Sequence, residues 1–125
     1  MCESKLQQIQ FECDAGKRLL SYIKEENIHL KNRLCEVIKD HSDNNLLEGL
    51  EDFLSKFVSE DDVIKLLCTQ LAELEQILKR VGPKDEMIVR EIFRRFDDLG
   101  KELIISEIRF RKLKIDFNNY LLENS

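Results

Sequence analysis

The chain has 125 residues, of which 42% are hydrophobic and 36% charged, with one Pro and four Gly. This length fits a single domain over residues 1–125, and the composition is too apolar for a disordered tail and too poor in turn residues for a many-stranded β protein. The net charge of −5 arises in residues 43–81, since the segments on either side are neutral. An acidic chain without a basic half is a poor binder of nucleic acid by phosphate neutralisation.

The four cysteines are Cys2, Cys13, Cys35 and Cys68, and none lies in a C-x-x-C pair or in a Cys/His cluster with zinc spacing. The sequence has no N-terminal apolar h-region and no apolar run near 18 residues, so we expect neither a signal peptide nor a membrane span. A cytoplasmic protein with reduced thiols is the simplest interpretation.

Two breaks divide the chain into three parts. The first is the polar cluster at residues 40–45, and the second is Gly82-Pro83-Lys84, in which Gly82 is well placed to follow a helix end. They predict helices over about residues 3–40, 45–81 and 84–122, each roughly 57 Å long at ~1.5 Å per residue. Equal lengths joined by short loops favour antiparallel neighbours.

Each predicted helix carries a continuous heptad with mostly apolar a and d positions. In the first helix these are Leu6, Ile9, Cys13, Gly16, Leu20, Ile23, Asn27, Leu30, Leu34 and Val37. In the second they are Leu46, Leu50, Phe53, Phe57, Glu60, Ile64, Leu67, Leu71, Leu74, Leu78 and Val81. In the third they are Asp85, Val89, Ile92, Phe96, Leu99, Leu103, Ser106, Phe110, Leu113, Phe117 and Tyr120. We therefore predict an all-α, antiparallel up-down-up three-helix bundle, coiled-coil-like, with dimerisation as an open alternative.

Residues at equal distances from a tight turn face each other in antiparallel helices, so the a and d positions of the three helices can be grouped into layers. This grouping shows which layers of the core contain polar residues. Glu60 and Ser106 share a layer with Ile23, and Asn27 falls in the next layer with two phenylalanines. One interpretation of Asn27, Glu60 and Ser106 is register specification or solvent access in a thin bundle. The alternative is a small polar ligand pocket between the helices.

The second helix has a competing interpretation near its middle. The stretch Ser59-Glu60-Asp61-Asp62 has the pattern of an N-cap with acidic residues in the first turn, so the helix could break near Ser59. The continuous heptad favours an unbroken helix.

No motif predicts catalysis or metal binding. Glu26 and His29 share a helix face, as ligands of di-iron bundles do, but the chain has only one other histidine, His41, and both residues lie away from the seam. Cys13 fits a small core residue, and no histidine is placed to activate Cys35 or Cys68. We expect no enzyme activity and no cofactor.

The third helix carries two further patterns. Its basic side chains are matched by acids on the same helix, which is typical of a solvated, ion-paired face; they are Arg90, Arg94, Arg95, Lys101, Arg109, Arg111, Lys112 and Lys114. A second apolar row lies opposite the seam and consists of Ile104, Ile108, Ile115 and Leu122, with Met87 on the same line near the start of the helix. Scattered apolar residues are normal on a surface, and the alternative is an interface with a second copy or a partner helix.

The heptads resemble three-helix repeats of the spectrin type in architecture alone, and the absence of Trp departs from the usual spectrin-like core. No functional residue follows from that resemblance. The leading hypothesis is a non-enzymatic interaction protein that self-associates, as a dimer, or presents its acidic second helix or its third helix to a protein partner. The alternatives are a ligand-binding or sensory bundle and, less favoured, a nucleic-acid-associated accessory protein.

Overall fold

The computed structural model describes residues 2–40, 43–81 and 85–124, with side chains from residue 5 onward. Three helices, α1 (Cys2–Asp40), α2 (Asn44–Arg80) and α3 (Glu86–Glu123), pack against one another, and the described residues contain no strand. This confirms the prediction of an all-α three-helix bundle. None of these helices contains an apolar stretch long enough to cross a bilayer, as judged over the described residues.

Aspartates begin the second and third helices. The Asp43 carboxylate accepts a hydrogen bond from the Asn45 backbone N–H at 2.9 Å, and that of Asp85 accepts one from the Ile88 N–H at 3.4 Å. Both satisfy donors that have no partner within the first helical turn. Because Asp85 is the N-cap, α3 begins two residues later than predicted. Gly82, to which we assigned the end of the second helix, lies outside the described residues.

The second helix runs unbroken through Ser59, so the alternative of a break there is wrong. Phe57 and Ile64 are both buried on the same seam, one on each side of Ser59. A break would remove one of them from the core, and this loss exceeds what an N-cap typically contributes, about 1 kcal/mol.

The core consists of two hydrophobic clusters arranged along the bundle. One gathers residues such as Ile9, Leu20 and Leu71, and the other gathers Ile23, Phe57 and Phe117. Leu20 and Ile23 are neighbours on the α1 seam, so the clusters meet at the layer that contains Glu60 and Ser106. The second cluster holds a group of packed aromatic rings whose centroids lie 5.2–5.4 Å apart, formed by Phe53, Phe57, Phe117 and Tyr120.

The phenol ring of Tyr120 crosses α2 directly over Gly49. A Cβ atom added to Gly49 would lie 2.1 Å from the Tyr120 hydroxyl oxygen, so only glycine leaves room for this ring. The Tyr120 hydroxyl donates to the Leu46 carbonyl oxygen at 3.2 Å, which joins α3 to α2 near the start of α2. Gly100, in contrast, is a helical glycine with no atom within 4 Å of an added Cβ.

The two glycines give a matched test of this contact. Gly100→Ala should raise the free energy of unfolding by about 0.5–1 kcal/mol, because alanine is the better helix former and meets nothing at this site. Gly49→Ala has the same propensity gain but displaces Tyr120, so the net change should be a loss of about 1–3 kcal/mol. Urea unfolding followed by circular dichroism measures both, and equal stabilisation by the two substitutions would contradict the packing described.

Candidate interaction surface and polar core layer

The second apolar row of α3 lies on the outside of the bundle. Ile104, Ile108, Ile115 and Leu122 are 59%, 60%, 51% and 73% exposed, and we call these four residues the α3 stripe. Large apolar side chains in a row of this length cover about five turns of the helix. Ile105, one position from the stripe, is also half exposed, and the sequence analysis did not include it because it lies outside the apolar row opposite the seam.

Several charged side chains beside the α3 stripe are paired within the helix. The Arg111 guanidinium donates to Glu107 at 2.8 Å, and the Lys101 ammonium lies 3.3 Å from Asp97. Nearer the start of α3, Arg94 and Arg95 both pair with Glu91. The expectation of an ion-paired face thus agrees with the contacts at these positions. Exposed pairs of this kind contribute little to stability, about 0–1 kcal/mol each, but they leave the face without a strong net charge.

Two basic residues of α3 differ from that description, because they reach across to other helices. Arg109 pairs with Glu60 of α2, and Lys114 pairs with Glu26 of α1. Lysine and arginine side chains are long enough to reach a neighbouring helix, and sequence reasoning missed these two pairs because it matched both residues only with acids on their own helix. Both residues lie directly beside the seam, and this position could have indicated contacts with other helices.

An apolar groove with a volume of about 680 Å³ runs between α1 and α3. Its lining includes Gly16, Leu19, Phe93, Phe96, Gly100 and Ile104. Gly100 leaves the wall open because it has no side chain, and Gly16 admits the Leu71 and Leu103 methyl groups close to the α1 backbone. Ile104 belongs to both the groove and the α3 stripe, so the two apolar surfaces are continuous.

Asn27 is fully buried and bonds toward α2. Its side-chain amide donates to the Phe57 carbonyl oxygen at 3.0 Å and to the Asp61 carboxylate at 2.6 Å. The other Asp61 oxygen accepts from Lys31 at 2.5 Å. The Asn27 carbonyl oxygen is buried without a hydrogen-bond partner among the described residues. This arrangement ties α1 to α2 at one height, since an axial shift would break both amide hydrogen bonds.

Glu60 and Ser106 lie where α2 packs against α3, whereas Asp61 and Lys31 join α2 to α1. The Glu60 side chain is only 6% exposed, and its Oε1 accepts from Arg109 Nε at 2.6 Å. An Arg109 Nη atom lies 3.5 Å from the Ser106 hydroxyl. Glu60 Oε2 has no hydrogen-bond partner among the described residues. The three polar residues singled out from the sequence are therefore all buried, but their contacts form two separate groups.

Two further ion pairs, besides Lys31–Asp61, join α1 to its neighbours. Glu75 accepts from Lys17 at 2.6 Å and from Gln10 at 3.2 Å, and these partners lower the pKa of the Glu75 carboxyl below its ordinary value of 4.5. Glu26 accepts from Lys114 at 2.6 Å, and its pKa is lowered in the same way. Both carboxylates stabilise the fold only while they are ionised.

No group of His, Cys, Asp and Glu within the described ranges could hold a metal ion. The Glu26 carboxylate is already paired with Lys114, and His29 lies exposed on the surface. The second histidine, His41, lies outside the described residues.

The cysteine side chains that are described are free and fall into two classes. Cys13 is fully buried, and burial is the main cause that raises the pKa of its thiol to about 11. Its thiol is therefore protonated at neutral pH and is a poor nucleophile. Cys35 and Cys68 are exposed to solvent.

Thiol labelling should separate these two classes. Iodoacetamide at neutral pH should alkylate Cys35 and Cys68 within minutes, while Cys13 should react only after the bundle opens or unfolds. Peptide mass spectrometry after timed quenching distinguishes the sites. Labelling of Cys13 as fast as Cys35 in the native protein would show that the first hydrophobic cluster is not closed.

The Glu75 pairing should make stability depend on pH. Because the folded-state pKa of Glu75 is lowered, its contribution is present above the ordinary value of 4.5 and is lost as the pH falls through the folded pKa. The urea midpoint should therefore fall between about pH 6 and pH 3, and Glu75→Gln should reduce both the midpoint at pH 6 and the size of this fall.

Glu73→Gln is the matched control for Glu75→Gln. Glu73 is exposed on the same helix and forms no ion pair within the part of the chain that the structure describes. This control should retain the wild-type pH dependence. Identical profiles for Glu75→Gln and the wild type would contradict the role of the Lys17–Glu75 pair.

Comparison of the chain with protein-family models, with curated proteins and with solved structures found no significant match.

Proposed function

We propose that this chain is a non-enzymatic helical-bundle protein of the cytoplasm that associates with a second copy of itself through the α3 stripe. The exposure of Ile104, Ile108, Ile115 and Leu122 is the observation that carries this proposal. These side chains face away from the seam on which α3 packs against α1 and α2. Contiguous apolar surface of this kind usually marks an interaction site.

The charges beside the stripe favour a second copy as the occupant. Lys101 and Arg111 each lie within 4 Å of an acid one turn away, so both signs alternate along the face. A face without strong net charge can meet itself without repulsion, as a two-fold symmetric contact requires. At 38 residues, α3 is long enough, at ~1.5 Å per residue, to support such a contact over several turns.

Arg111 interrupts the stripe between Ile108 and Ile115, and a contact between two stripes can accommodate its charge. Its guanidinium is already paired with Glu107 at 2.8 Å, so association does not have to bury an unpaired charge. The aliphatic part of the side chain can cover neighbouring isoleucines while the charged end stays at the rim. Arg111 would then limit which registers two α3 helices can adopt.

The acidic outer face of α2 would stay accessible in such a dimer. Its exposed carboxylates are Asp43, Glu48, Glu51, Asp52, Asp62 and Glu73. A surface with this charge favours a protein partner that carries a basic surface. In this proposal α3 serves self-association and α2 serves a further protein contact.

The cytoplasmic compartment in this proposal rests on the cysteine pattern of the sequence. Cys2, Cys13, Cys35 and Cys68 form no C-x-x-C pair, and reduced thiols are the simplest interpretation. The raised pKa of Cys13, about 11, keeps this buried thiol protonated at neutral pH.

The dimer is tested by placing two carboxylates on the stripe. The wild type should sediment as a dimer at micromolar concentration, whereas the double variant Ile108→Glu, Ile115→Glu should sediment as a monomer, because burying two unpaired carboxylates costs several kcal/mol. Helicity should be unchanged, since both side chains lie outside the core.

A second double variant, Val58→Glu with Leu66→Glu, provides the control. These α2 side chains are also about half exposed, at 48% and 57%, but lie away from the stripe. This control should remain dimeric. A wild type that is monomeric across the concentration range, or a control that dissociates as readily as the stripe variant, would refute the proposal.

A further inference from the structure

A second groove, with a volume of about 510 Å³, lies between α2 and α3 at the height of the polar core layer. Its walls contain Val63 and Leu113, and its charged groups are Lys56, Glu60, Arg109, Lys112 and Asp116. Pockets for small molecules commonly have this volume and combine an apolar wall with a few polar groups. Asn27 and Ser106 are not among the lining residues.

The charge of this groove is opposite to that of the chain. Three cations and two carboxylates line it, which leaves an excess of one positive charge in a protein whose net charge is −5. Lys56 and Lys112 form no ion pair with any described residue, although the Lys56 ammonium lies 5.5 Å from the centroid of the Phe53 ring. Unpaired cations beside apolar walls favour an organic anion.

Glu60 holds the third cation in place. The carboxylate accepts from Arg109 Nε, and a guanidinium has five N–H donors, so other donors of Arg109 remain for an anion. Arg109 is 47% exposed at its side chain whereas Glu60 is 6% exposed, so the pair joins the buried layer to the groove. Glu60 is a positioning residue for Arg109 in this arrangement.

The buried carboxylate also offers an acceptor. Glu60 Oε2 is buried and receives no hydrogen bond from the described residues, and leaving such an atom unpaired is costly. A donor N–H or O–H next to the anionic group of a ligand would satisfy Oε2, while Oε1 keeps its hydrogen bond from Arg109 Nε.

We propose that the α2–α3 groove binds a small organic anion that carries an N–H or O–H donor on a flat apolar body. The anionic group pairs with Arg109, Lys56 and Lys112, the donor bonds to Glu60 Oε2, and the body packs on Val63 and Leu113. The site is independent of the α3 stripe, so a failure here leaves the self-association proposal intact.

Indole-3-acetate is a suitable probe, because it combines a carboxylate, an N–H donor and a flat ring. Titrated at millimolar concentration into the ¹⁵N-labelled full chain, it should shift the amide signals of residues 56–63 and 109–116 in a saturable way. Indole, which lacks the anion, and 1-naphthaleneacetate, which lacks the N–H donor, should each bind roughly tenfold more weakly, since each loses one polar interaction.

A pair of lysine variants tests the location. Lys112→Gln should weaken binding of indole-3-acetate several-fold, and Lys65→Gln, an exposed α2 lysine outside the groove, should leave it unchanged. Both substitutions are at exposed positions and should leave the fold intact. The proposal is overturned if the shifts do not saturate, if both variants bind alike, or if 1-naphthaleneacetate binds as tightly as indole-3-acetate.

Discussion

The alignment of three heptads is the constraint on which the rest of this structure depends. Each helix is amphipathic with a repeat of 3.5 residues, and the apolar positions are buried only when all three seams meet at the same heights. A shift of one turn would also move the Asn27 amide from the Phe57 carbonyl oxygen and the Glu60 carboxylate from Arg109. Apolar burial supplies the stabilisation, and these polar contacts select one register from the several that apolar packing alone would accept.

The polar groups of the interior follow a common arrangement, in which a buried acceptor or amide is matched by a long basic side chain at the edge of the seam. Lys31 completes the Asn27–Asp61 contact, and Arg109 completes that of Glu60. Lysine and arginine suit this role because their stems lie along apolar surface while the charge stays near water. A thin bundle permits this pairing of buried polar groups with basic side chains, since its core positions lie close to solvent.

The fold was predictable to within two residues at the described helix starts because the signals are periodic and repeated: continuous heptads and polar breaks. The burial of Asn27, Glu60 and Ser106 followed from the same register. The hydrogen-bond partners of these residues did not follow from the register. A heptad fixes the face on which a residue lies but not which of several lysines or arginines its side chain reaches. The α1–α3 groove was also not predicted, because Gly100 leaves part of its wall open and the pattern of apolar residues does not record missing volume.

The division of the core into two clusters has a consequence for how the protein opens. The two clusters meet at the layer with Glu60 and Ser106, where Leu19 packs against both of them. The end that contains Phe53, Phe57, Phe117 and Tyr120 is held by packed rings. The buried side chains of the other end are aliphatic or Cys13, and its phenylalanines, Phe93 and Phe96, are only partly buried beside the glycine-lined groove. Amide hydrogen exchange would then proceed from the end with the groove toward the polar layer, and the half with the packed rings would be the last part of the bundle to lose protection.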